Sequence, residues 1–231
     1  MEAYENQKDA ADKYSLRGRV FAKLREDILS GTYQEMDELK EVVIGQELGV
    51  SRTPVREALR QLELEGLVTI VPNKGAYVTG ISDQDIEDIF VIRSYLEGLC
   101  AAWACRNITK EQLDSLEEIV YLANFHVEKG NFDQVVELDN KFHELLYEAC
   151  GSRILSHVLS DYHHYARRAR TVNLSEAARA RHSIGEHADI VKAIREKDEA
   201  AAEQYAHEHI EESIRRMHLA DDEAAREREN E

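Results

Sequence analysis

The stretch from Gly49 to Gly75, GVSRTPVREALRQLELEGLVTIVPNKG, constrains the fold of this chain more than any other. Val55, Ala58, Leu59 and Leu62 fall at i, i+3, i+4 and i+7, a single apolar stripe that a helix must bury against a partner. Thr53 suits an N-cap, and Pro54 suits the first helical position, where a missing N–H costs nothing. A helix is therefore expected over Thr53–Glu65, closed by Gly66. On that reading Arg52 lies just before the cap and Arg56 one turn in. Cations at a helix N-terminus oppose the macrodipole, so the pair is a poor choice for stability alone. It suits an acceptor-rich, anionic partner, and guanine edges flanked by phosphates in a major groove are one such partner. The plainer alternative is that both arginines pair with acids such as Glu57.

The flanking sequence completes a small unit. Val20, Phe21, Leu24 and Ile28 mark an amphipathic helix from Leu16 to about Ser30, ended by Gly31. A loop from Thr32 to Lys40 leads to a short helix over Val42–Leu48. Strand-like pieces at Leu67–Val71 and Ala76–Thr79 flank the turn-rich Pro72-Asn73-Lys74-Gly75. Three helices and a hairpin within residues 15–80 read as a winged helix-turn-helix, preceded by a mobile arm at 1–14.

After Gly80 the pattern is helical to the end. Ser82 with Asp85 and Thr109 with Gln112 look like capping pairs. Breaks near Asn107–Thr109, Gly130–Asn131, Gly151–Ser152, Asn173–Ser175 and Lys197–Asp198 give helices at about 83–106, 110–129, 132–150, 153–172, 176–196 and 198–219. The expected class is mainly α. An all-helical antiparallel bundle over 81–220 follows the winged domain and encloses a central cavity, with a frayed tail at 221–231.

Charge and cysteine usage narrow the function. The formal net charge of −17 excludes a protein that coats nucleic acid through bulk charge. Residues 1–79 carry 11 basic against 14 acidic side chains, and residues 80–231 carry 18 against 32, so DNA binding must come from a local cluster in the first part. Cys100, Cys105 and Cys150 form no CxxC pair and leave one unpaired in any disulfide scheme, as expected of buried thiols in a reducing cytoplasm. No apolar run reaches the ~18 residues of a membrane span.

The candidate DNA contacts are Arg52, Thr53, Arg56, Arg60, Lys74 and Gly75. Arg52 and Arg56 can each donate bidentately to guanine O6 and N7, while Thr53 and Arg60 are better placed for phosphates. Lys74 and Gly75, at the hairpin tip, can reach the backbone or enter the minor groove. At these residues the chain resembles the DNA-binding domain of the GntR family of bacterial transcription regulators, through LGVSRTPVREALRQLELEGLV followed by PNKGAYV. The resemblance covers about 16–80 and implies a symmetric dimer on a palindromic operator, with the Thr53 helix in the major groove and the wing tip in the minor groove. A family member that senses acyl chains contacts DNA through an arginine at the start of its second helix; Val42 stands there in this chain, so that contact is absent.

In the second domain Asp139 and His143, at i and i+4, share one helix face and can chelate one ion, although a solvated ion pair has the same spacing. His187 and His209 each sit on a helix of their own, where antiparallel packing could bring them to that face. His126, His157, His163, His164, His182, His207 and His218 have ordinary surface or core readings. Residues 83–218 resemble the FCD domain of the FadR-type branch of GntR regulators. Its metal-bearing members place an Asp, a His four residues on, a His in an EH-x3-V/I pattern and a His near the last helix. Asp139, His143, His187 and His209 match all four, and the resemblance implies a divalent ion, Zn²⁺ or Ni²⁺ first and Mn²⁺ next, with open positions for a ligand carboxylate. Arg93, in IRSYLEGL, then either clamps that carboxylate or pairs with Glu97. A repressor released by a small carboxylate is the expected function. Two alternatives stand beside it: a sensor of the metal itself, and a metalloenzyme with a vestigial DNA-binding domain. No HExxH, GxSxG or phosphate-loop pattern favours the enzyme, and Glu186, about 100° round the helix from His187, is not placed as a general base.

Overall fold

The computed structural model describes residues 15–80, 82–165 and 177–229, and divides the chain into two compact units after Ser82. The arm expected at 1–14, the helix end expected near 172 and the break expected at Asn173–Ser175 lie outside the described residues.

The first unit contains α1 (Leu16–Leu29), α2 (Glu41–Glu47) and α3 (Arg52–Leu64), followed by β1 (Val68–Val71) and β2 (Gly75–Val78). The α1 stripe of Val20, Leu24 and Ile28 is buried, and the Ser15 side chain caps its start by accepting from Gly18 N at 3.0 Å. Val55, Ala58, Leu59 and Leu62 are all buried on α3, as their spacing requires. The α2–α3 turn is closed by Val50 N donating to Gly45 O at 2.8 Å. A Cβ on Gly45 would come within 2.9 Å of Val50 O, so only glycine lets the chain turn this tightly.

The start of α3 differs from expectation. Ser51, in extended backbone, is the N-cap, though its side chain makes no capping bond, and Arg52, Thr53 and Pro54 occupy the first turn. The first-turn N–H groups all lack intrahelical partners, so proline is as tolerable at the third position as at the first and does not mark the start. Arg52 is consequently part of the helix. The end is as expected, with Glu65 as C-cap and Gly66 at φ 76°.

The wing pairs β1 with β2 antiparallel, Val68 opposite Val78 and Val71 opposite Gly75, around a turn in which Asn73 takes φ 62°. The supposed loop at 32–40 also contributes to it. Glu38 bridges Tyr77, Leu39 N donates to Ala76 O at 2.8 Å, and Met36 N donates to Val78 O at 2.9 Å. Buried Leu39 anchors this added ribbon to the core.

The second unit comprises α4 (Asp83–Asn107), α5 (Lys110–Glu128), α6 (Phe132–Ala149), α7 (Arg153–Tyr165), α8 (Ala177–Glu196) and α9 (Glu199–Glu229). Thr109 and Gln112 form the expected reciprocal capping box. The last helix runs to Glu229, into the segment expected to fray. Central α4 packs against α6, α7, α8 and α9. Its contact with α9 is close, because a Cβ on Gly98 would lie 2.9 Å from Glu203 O. Small residues of α4 (Cys100, Ala101, Ala104) meet Phe142 and Leu146 of α6 and Ala202 and Ala206 of α9 in the main core. The three cysteines are free and buried. Among the described residues no helix is long and apolar enough to cross a membrane.

Candidate nucleic-acid interface and metal centre

In the first unit the α3 N-terminus presents Arg52 and Arg56 at the surface, with side chains 63% and 51% exposed. Thr53, Arg60, Lys74 and Gly75 are exposed as well. Both arginines are ion-paired, but with Glu41 at the start of α2 rather than with Glu57. Arg56 Nε donates to Glu41 Oε1 and Nη2 to Oε2, both at 2.9 Å. Arg52 Nε and Nη2 donate to Oε2 at 3.2 and 3.1 Å. The hydrogen bond from Arg56 holds the Glu41 carboxyl below the usual carboxylate range, against a smaller opposing effect of burial. Val42, beside Glu41, is exposed and leaves no arginine at that position.

In the second unit the four residues expected around an ion converge from three helices. Asp139 and His143 face inward from α6, His187 from α8 and His209 from α9, and all four are buried. Burial rules out the solvated ion pair allowed by the i, i+4 spacing. His187 Nε2 and His209 Nε2 are 3.2 Å apart; Asp139 Oδ1 lies 3.7 Å from His187 Nε2, and Asp139 Oδ2 lies 4.0 Å from His143 Nε2. The three imidazoles offer nitrogens within 4.8 Å of one another. Phe142 stacks on the His187 ring at 3.9 Å between centroids, which fixes its plane.

The Nδ1 edges of two of these rings, His143 and His209, are held by carboxylates. His143 Nδ1 lies 2.8 Å from Glu97 Oε2, and His209 Nδ1 lies 2.8 Å from Glu186 Oε2. Such pairing favours the proton on Nδ1 and turns Nε2 towards the other donors, the arrangement that orients a histidine for a metal. One carboxylate and three imidazoles are a borderline donor set that fits Zn²⁺ or Ni²⁺.

Arg93 is fully buried, and its Nη2 donates to Glu97 Oε1 and, at 3.5 Å, to Tyr147 Oη. The pair with Glu97 is thus formed, and Arg93 bears on His143 through it. Arg93 Nε and Nη1 have no hydrogen-bond partner among the described residues. Tyr147 Oη donates to Glu97 Oε1 at 2.6 Å and neighbours His163, whose Nε2 lies 3.0 Å from Asn140 Oδ1. His163 is a satisfied core histidine, as its ordinary reading held. Burial alone would raise the Glu97 pKa, but His143 and Arg93 outweigh it and hold the carboxyl well below the usual range. Glu186 follows the same pattern, with burial overcome by His209 and Arg179.

The supporting roles of Glu97 and Glu186 towards the histidines were not read from the sequence. The Glu186 carboxylate, turned to His209 and Arg179, is not aimed as a base at an ion among the Nε2 atoms. A small cavity adjoins the donors, walled by Ile119 and Ala123 of α5, Val135 and Leu138 of α6 and Ile184 of α8, with Asp139 and His187 also lining it.

Comparison with known proteins agrees with both units. The family described as bacterial regulatory proteins, gntR family, matches residues 16–78, and the FCD domain matches residues 88–212. The uncharacterized HTH-type transcriptional regulator YdhC of Bacillus subtilis (strain 168) is 28% identical over 193 residues, covering 83% of this chain and 86% of that protein. The HTH-type transcriptional repressor RspR of Escherichia coli (strain K12) is 28% identical over 194 residues, covering 84% and 85%. The solved structure of E. coli McbR/YncC shares the fold, with a TM-score of 0.73 at 22% identity over 89% of this chain and 98% of that one. An N-terminal reading head and a C-terminal helical domain, each matched by its own family, make this chain a DNA-binding transcription regulator of the bacterial GntR family, in the group that carries an FCD domain.

Proposed function

We propose that this regulator is a repressor that reads a palindromic operator as a homodimer and leaves it when a small carboxylate reaches a divalent metal held by Asp139, His143, His187 and His209. The convergence of those four side chains, with two Nδ1 positions already engaged by Glu97 and Glu186, carries the reading. A bound ion would supply a Lewis-acidic anchor with positions left open for the ligand carboxylate. Arg93 offers Nε and Nη1 to the same carboxylate. On the DNA side Arg52 and Arg56 read guanines, Thr53 and Arg60 hold phosphates, and Lys74 with Gly75 inserts the wing tip. Exposed Val91, Ile92 and Tyr95 give α4 an apolar strip suited to a partner copy. Reduced, buried thiols accord with a cytoplasmic setting.

Elemental analysis of protein purified without added metal should find a stoichiometric divalent ion, and Asp139→Ala/His143→Ala protein should lose both the ion and the response to ligand. A double variant that kept both would overturn the site. Arg52→Ala and Arg56→Ala should each shift base preference, whereas Lys74→Ala should weaken binding evenly and flatten its salt dependence. The deep burial of all four donors favours a second reading, in which the ion itself is the signal. A gel shift with Zn²⁺ or Ni²⁺ titrated and no organic ligand separates the two.

A further inference from the structure

Glu41 gives the DNA-reading end of α3 a feature that the arginines alone would lack. One carboxylate accepts four hydrogen bonds from two guanidinium groups, and it comes from a different helix from either of them. The edge each arginine uses matters. Both present Nε and Nη2 to Glu41, so Nη1 and the second Nη2 proton of each remain available. Those are the donors that an arginine offers end-on to guanine O6 and N7. The fork therefore leaves the reading edges open while it fixes the side chains behind them.

We propose that Glu41 is a specificity-determining positioning residue of the DNA-binding head: it sets Arg52 and Arg56 side by side as one pre-aimed pair and lowers their combined charge from two to one. The proposal rests on the reading that the two arginines contact bases. Aiming removes rotamer freedom before DNA arrives, so less is lost on correct docking. Cancelling one charge weakens the attraction for phosphates at any sequence, and the acidic balance of the chain works the same way. Base recognition is kept and indiscriminate binding is reduced. The low-lying carboxyl of Glu41 stays ionised throughout the neutral range, so the fork persists under ordinary assay conditions.

An acidic residue in the first turn of α2 also favours that helix through its dipole, and the test has to separate this contribution from the fork. Glu41→Gln keeps the shape and removes the charge. Glu41→Asp keeps the charge at the helix start but is one methylene too short to span both arginines. Each full-length variant would be titrated with duplexes that the wild-type protein enriches from a random pool and with scrambled duplexes of equal length, over a range of salt. Both variants should lower the ratio of enriched to scrambled affinity by about tenfold, the scale of one misaimed bidentate contact. Glu41→Gln should also bind scrambled DNA more tightly, with a salt slope steeper by about one phosphate equivalent. Circular dichroism should show α2 retained in both.

Full discrimination in Glu41→Asp would mean that the carboxylate acts only through the helix dipole, and would overturn the proposal. So would a Glu41→Gln protein that binds the enriched duplex more tightly at an unchanged ratio, since Glu41 would then compete with the bases. Arg56→Ala serves as the control. If base preference survives it, the reading of the arginines fails; if preference is lost there but kept in both Glu41 variants, only the role of Glu41 fails.

Discussion

Replacing Glu97 by Gln tests the buried network behind the candidate metal centre. The carboxylate is 1% exposed and serves three donors: Arg93 Nη2, Tyr147 Oη and the Nδ1 of His143. Glutamine fills nearly the same volume but carries no charge, so fully buried Arg93 loses its counter-ion. Removing one member of a buried pair costs about 3–5 kcal/mol, and the acceptor oxygen that Gln retains argues for the lower end, about 3 kcal/mol. For a unit of this size that corresponds to a fall of about 6–12 °C in melting temperature. Trp103, the sole tryptophan, lies on α4 and packs against the bundle core, so its fluorescence reports melting of the helical unit and not of the winged one. The same change removes the acceptor that orients His143 and should weaken metal affinity by about 10–100-fold, read by competition with a chelator. Arg93→Met/Glu97→Leu, which removes both charges, should melt above Glu97→Gln, because an apolar pair leaves no buried ion uncompensated. A Glu97→Gln protein melting within about 2 °C of wild type, or a double variant no better than the single one, would refute the reasoning.

Gly98→Ala should lose about 1 kcal/mol net, since the added methyl meets Glu203 O and its overpacking cost exceeds the helix propensity it gains. It should also retain metal less well, because α9, which it displaces, carries His209; a stabilised variant with unchanged metal content would contradict this. The Glu41 carboxyl is lowered by its hydrogen bond from Arg56, so its contribution is present above the ordinary carboxylate range and is lost only as pH falls through the lowered value. The ratio of operator to scrambled affinity, measured at constant ionic strength, should stay flat from about pH 8 to pH 5. A fall centred near pH 6 would assign the discrimination to a histidine instead.

What could be read from the sequence depended on range. The α3 stripe, the wing turn around Asn73 and the helix breaks at Gly130 and Gly151 are written in local periodicity and punctuation, and the structure reproduces them. Asp139 and His143 were visible together because a helix turn separates them; their meeting with His187 and His209 is set by helix packing, and family resemblance supplied it. The start of α3 was misplaced because first-turn chemistry tolerates Pro54 at more than one position. The ribbon at Met36–Leu39 was missed because backbone pairing with β2 carries no side-chain period over so few residues. Contacts across elements left no local signal at all. Glu41 reaches arginines 11 and 15 residues away, and Glu186 reaches a histidine 23 residues away. Glu186 adjoins His187 in sequence, but helix neighbours diverge, and that divergence points Glu186 at His209 of α9.

The cavity beside the donors has a consequence for redesign. Its apolar wall of Ile119, Ala123, Val135, Leu138 and Ile184 does not include Glu97 or Glu186, the two carboxylates that hold the imidazoles. The apolar side chains that would shape a guest and the two carboxylates that hold the imidazoles are therefore separate sets. If the proposed ligand enters this cavity, a library confined to the apolar wall would change which compounds fit without touching Glu97 or Glu186. With the reading head on its own compact unit, such variants would share one operator and could be sorted on a single reporter promoter.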